Sequence, residues 1–116
     1  MNLGVIGKKG EDMVALFLRS RGYGVLKRNY SCRFGEIDII AEKNGIIAFV
    51  EVKTRKECAL VSPKEAVDSH KKARMTKTAE DYISKTETLL QPRFDVAEVT
   101  VTEREKFRLN YIKNAF

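Results

Sequence analysis

Asn44-Gly45, set between two largely apolar runs, is the feature that most limits how this chain can fold. A two-residue hairpin turn needs positive φ at both of its central residues. Asn followed by Gly is the pair that adopts this most readily. The turn therefore predicts one strand over 36–43 and a second over 46–55, paired antiparallel with Lys43 opposite Ile46. Counting outward from the turn puts Asp38 opposite Glu51 and Glu36 opposite Lys53. Because side chains alternate along a strand, Glu51 and Lys53 share one face, and Val50 and Val52 take the other. The same count puts Asp38 and Glu36 on the polar face, with Ile37 and Ile39 behind them.

The rest of the chain falls around this hairpin. Met13, Val14, Phe17 and Leu18 recur at helical spacing, which predicts an amphipathic helix over 3–21 closed by Gly22. A short strand is expected over 23–30. Ser62-Pro63-Lys64-Glu65 has the form of a helix start, with a serine cap, a proline in the first turn and a returning glutamate. That second helix is expected to run to about Lys85 and to bury Val67, Met75, Ala79, Tyr82 and Ile83. Pro92 precedes a strand expected over 94–102, and a last strand is expected over 107–112. The order predicts an α/β fold with a mixed central sheet flanked by helices.

Two carboxylates facing each other across a strand pair repel, and the arrangement costs stability. Local conflicts of this kind concentrate at functional sites. A divalent cation would relieve the conflict between Asp38 and Glu51. Their hard oxygen ligands suit magnesium or manganese better than zinc. Lys53 would stand beside such a cation, where an ammonium can orient a water or offset charge on a phosphate. The alternative is an ordinary solvated face of a hairpin.

Charge and cysteine usage narrow the partners. The 116 residues carry 22 Lys and Arg against 16 Asp and Glu, for a formal net charge of +6. That balance favours an anionic partner, nucleic acid above all. Arg28, Arg33, Arg55, Lys56, Lys71, Lys72 and Arg74 are the candidate phosphate contacts, with a solvated surface as the alternative for any one of them. Tyr30 and Phe34 lie among these cations, and a core or strand-edge role is preferred over base stacking. Cys32, Cys58 and the single His70 cannot supply a structural zinc set, and reduced thiols in a cytosol account for the cysteines. Cys58 lacks a local partner that would make it a nucleophile. No signal peptide or membrane span is expected. Asp95 is expected to make a structural contact and is not assigned to a metal.

Asp38 followed by Glu51-Val52-Lys53 resembles the D…(D/E)-x-K signature of the restriction-endonuclease-like superfamily. Gly10-Glu11, Gly22-Tyr23, Arg28-Asn29, Gly35-Glu36-Ile37-Asp38 and Phe49 to Arg55 extend the likeness, and so do Pro63, Glu65-Ala66-Val67, Arg93 to Val96 and Asn114-Ala115-Phe116. Together they resemble the YraN family of predicted endonucleases over essentially the whole chain. The resemblance implies one nuclease domain over 1–116, with a core of helix, three strands, helix and strand related to archaeal Holliday-junction resolvases. It also implies magnesium- or manganese-dependent hydrolysis of DNA, branched or structured DNA included. Carried over by position, Asp38 and Glu51 are the metal ligands, Glu11 is a helix-borne acid near the metal, and Lys53 is the catalytic lysine. A homodimer suits a branched substrate. The competing expectations are a nucleic-acid-binding module on the same fold that does no chemistry, and a scaffold that pairs through its sheet edge.

Overall fold

The computed structural model describes residues 2–57 and 69–116. The hairpin forms as the turn dictates. Asn44 and Gly45 have φ of 49° and 80°, and Lys43 pairs with Ile46. The elements follow in the order α1 (Leu3–Ser20), β1 (Gly24–Cys32), β2 (Gly35–Lys43), β3 (Ile46–Lys56), α2 (Ser69–Thr86), β4 (Gln91–Val101) and β5 (Phe107–Ile112).

The five strands form one sheet in chain order. Every neighbouring pair is antiparallel except β3 and β4, which run parallel. Parallel neighbours need a crossover, and α2 lies in that connection. The helices cover opposite faces. Val14, Ala15 and Leu18 of α1 pack on Ile39, Ala41, Ala48, Val50, Ala97 and Val99. Met75 and Ala79 of α2 pack on Ile37, Ile40, Ile47 and Phe49, with Tyr82 and Ile83 alongside. Of the apolar stripes expected on the two helices, Val14, Leu18, Met75 and Ala79 are buried, while Met13, Phe17, Tyr82 and Ile83 are partly buried against the same cores. Phe49, fully buried, is the largest side chain of the second core and stands between the rings of Tyr82 and Phe94.

Three expectations are corrected. Ile37 packs on the α2 side and Ile39 on the α1 side, so the alternation in β2 breaks at Asp38. The neighbouring strand is irregular at the same level. Asn29 has a left-handed φ of 53° between Arg28, which pairs with Ile39, and Tyr30, which pairs with Ile37. Asn tolerates that conformation better than most residues. Second, the ladder between β2 and β3 ends at Ile39–Val50, so Asp38–Glu51 and Glu36–Lys53 are not paired rungs. Third, Pro92 lies inside β4, opposite Ile47, near the start of the strand where a missing N–H is tolerated. The expected helix start at Ser62 to Glu65, together with Pro63, Val67 and Cys58, lies outside the described residues.

Candidate active site

Where β2 and β3 part, an open cleft of about 480 Å³ forms against the start of α2. Glu36, Asp38, Glu51, His70, Lys71 and Arg74 line it. The parting is held open by a side chain. The Val52 N–H donates to Asp38 Oδ2 at 2.8 Å, so a carboxylate takes the acceptor role that a strand carbonyl would otherwise play. Burial pushes the Asp38 carboxyl up to about 7. The Val52 bond opposes that rise, while the nearby charges of Glu51, Glu11 and Glu36 add to it.

Glu51 is buried on the α2 side of β3, and its carboxylate is in contact with the Lys71 ammonium. Lys53 lies two residues along on the same side, half-buried, with Glu98 as its register partner on β4. Burial pulls its ammonium below the ordinary lysine range, with Lys71 adding to the effect and Glu51 opposing it.

Glu11 approaches from the opposite helix. A Cβ added at Gly10 would stand 2.4 Å from Thr54 Oγ1, so the absent side chain is what lets α1 lie this close to β3. Glu11 follows directly, 3.8 Å from an Arg28 nitrogen. Its carboxyl is raised by burial and by Glu36 and Asp12, against the lowering effect of Arg28. Arg28 also bonds Asp12 at 2.8 Å, and its Nε is buried with no hydrogen-bond partner among the described residues.

The site residues inferred from sequence thus come from α1, β2 and β3, and the charges of Glu11 and Glu51 both act on Asp38. Their donor chemistry fits a hard divalent cation: carboxylate oxygens, crowded negative charge and partial burial. Among the described residues, no three acidic, imidazole or thiol groups are gathered into a ready-made cage.

The basic candidates divide. Lys71 and Arg74 line the cleft. Arg33 lies over the Phe34 ring at 4.7 Å on the β1–β2 turn, with Lys77 over the same ring at 5.9 Å. Arg55 is half-buried and Lys56 exposed near the end of β3. Lys72 turns the other way and lies over Phe116, so it does not join the cleft. Tyr30, half-buried, packs edge-on against Tyr82 at the margin of the α2-side core.

Sequence reasoning missed how completely Asp95 is held. Its carboxylate is fully buried on β4 and accepts two bonds from Arg93, one from the Tyr111 hydroxyl and one from the Asn114 N–H. Arg93 also donates to the Tyr23 hydroxyl. The Arg93-x-Asp95 spacing, which puts both side chains on one side of a strand, was the available signal.

Two helices on opposite faces of a five-stranded mixed sheet, with acids where the central strands part, define an α/β protein compatible with a restriction-endonuclease-like core. More particularly, the chain belongs to the family described as "Uncharacterised protein family UPF0102", whose model matches residues 10–99. A UPF0102 protein of Dictyoglomus turgidum is 44% identical over 118 residues, covering 100% of both chains. One from Caldanaerobacter subterraneus is 42% identical, covering 100% of this chain and 98% of its own. One from Clostridium perfringens is 42% identical over 96% of this chain and 93% of its own. Among the described residues, no helix is long and apolar enough to cross a membrane.

Proposed function

We propose that this protein is a divalent-metal-dependent endonuclease of the YraN type that cuts DNA, with branched or structured DNA as its substrate. The observation that supports this reading is the meeting of Asp38 and Glu36 from β2 with Glu51 from β3 at one cleft, with the charge of Glu11 on α1 also acting on Asp38 and Lys53 on the same strand as Glu51. Asp38 and Glu51 would hold magnesium or manganese, with Glu11 behind them. A cation bound there supplies Lewis acidity towards a phosphate oxygen and makes a bound water easier to deprotonate. The Val52 N–H fixes Asp38. Lys53, eased towards deprotonation by burial, can exchange a proton with the attacking water and offset charge on the phosphate. Arg33, Arg55, Lys56 and Arg74 would grip the phosphate backbone. A homodimer would present two such clefts to the two strands of a branch.

A second reading has its own support. Lys71 already neutralises Glu51, and no three-ligand cage stands ready among the described residues. Both observations suit a nucleic-acid-binding module that does no chemistry. The two readings separate on branched, single-stranded and duplex DNA incubated with magnesium or manganese. Cleavage by the wild type that disappears in Asp38→Asn, which keeps the acceptor for Val52, and in Lys53→Ala supports the nuclease. Salt-sensitive binding without cleavage, or cleavage indifferent to both substitutions, overturns it.

A further inference from the structure

Among the described residues, two buried carboxylates have basic partners, and they are neutralised differently. Asp95 is fully buried and takes two bonds from Arg93, whose side chain is only 18% exposed. A planar guanidinium bonded twice is a permanent counter-ion. Glu51 is almost as deeply placed, with its side chain 8% exposed, but its counter-ion is Lys71, 47% exposed. An ammonium is a single compact charge on a flexible four-carbon stem. It reaches Glu51 from the first turn of α2, at the wall of an open cleft. A carboxylate beside Asp38 needs positive charge nearby, and this partner is one that can leave.

We infer that Lys71 is an exchangeable placeholder cation: it neutralises and aims Glu51 until a divalent cation displaces it. The inference rests on the metal-binding reading above and adds a named competitor to it. Lys71 is thus a positioning residue that lowers metal affinity while keeping the empty site folded. An equilibrium that must first release one partner weakens the apparent affinity for the other by the same factor.

The test is manganese binding, measured by titration calorimetry at low ionic strength on the full chain. Wild type is compared with Lys71→Met, Lys71→Gln, Lys71→Arg and Lys77→Met. Both neutral substitutions at position 71 should tighten manganese binding about five- to ten-fold, the scale of one half-exposed ion pair. Lys71→Gln keeps a polar group at the cleft wall should Lys71→Met fold poorly. Lys71→Arg should not tighten binding and should weaken it, because a guanidinium can bond the carboxylate twice and is harder to displace. Lys77→Met removes an equal charge farther along the same helix and should change affinity by less than about two-fold. Wild-type manganese binding that Lys71→Met and Lys71→Gln leave unchanged or weaken would overturn the Lys71 inference alone. So would equal tightening by Lys77→Met, which would point to the general field. Manganese binding by none of the variants would overturn the metal reading, and this inference with it.

Discussion

Asp38→Asn should make the metal-free protein more stable at pH 8, and by a margin that shrinks in acid. The Asp38 carboxyl, ordinarily near 3.8, is raised to about 7 by burial and by Glu51, Glu11 and Glu36. A raised carboxyl means that the folded state prefers the protonated form. Below the unfolded value both states hold the proton and no penalty exists. As pH climbs from about 4 to about 7 the folded state must surrender a proton it prefers to keep, and stability falls. At about 1.36 kcal/mol per pKa unit the full interval is worth about 4 kcal/mol. Neighbouring acids share in that repulsion, so about 2 kcal/mol is expected for one substitution. Asparagine carries no charge and keeps an oxygen to accept the Val52 N–H, so the backbone bond survives. For a domain of this size the gain corresponds to roughly 8 °C in Tm. Thermal unfolding followed by circular dichroism from pH 5 to pH 8, with EDTA present, measures it. Parallel curves for the two proteins over that range, or a less stable Asp38→Asn at pH 8, would refute the reasoning.

Two further predictions concern the frame around the site. Asp95→Ala strands Arg93 and removes the acceptor for Tyr111 and Asn114, and should cost about 3–5 kcal/mol in urea unfolding. A cost under about 1 kcal/mol would mean that the buried pair is dispensable. Gly10→Ala forces a methyl group against Thr54 and should cost about 1–3 kcal/mol. Adding Thr54→Ala should recover most of that loss, and purely additive effects in the double variant would rule out the contact as the cause.

The elements written in local patterns were legible, and those that depend on distant partners were not. Asn44-Gly45 set the hairpin register because two consecutive positive-φ residues leave few alternatives. The apolar spacing on α1 and the strand over 107–112 were equally plain. Asp38 and Glu51 were correctly brought to one place but not to one rung. The ladder stops before them, and β2 reverses its alternation opposite Asn29, a residue inside β1 that carries no periodic signal of its own. Pro92 looked like a boundary because proline lacks an N–H, yet that lack does no harm near the beginning of a strand. The Lys71–Glu51 contact joins a helix to a strand across a chain separation that no periodicity spans. Lys72, its neighbour in sequence, points to Phe116 instead.

The bond from Val52 to Asp38 ties the range of tolerated residues at position 38 to architecture as well as to chemistry. Alanine there would remove an acceptor from the sheet along with a negative charge, so an inactive alanine variant would report on two losses at once. Asparagine keeps the acceptor and separates them. Glutamate keeps the charge but lengthens the side chain by one carbon, displacing the oxygen that closes the backbone network. Under the proposed nuclease reading, position 38 is a place where a folding requirement and a metal-binding requirement would select from the same very short set of side chains.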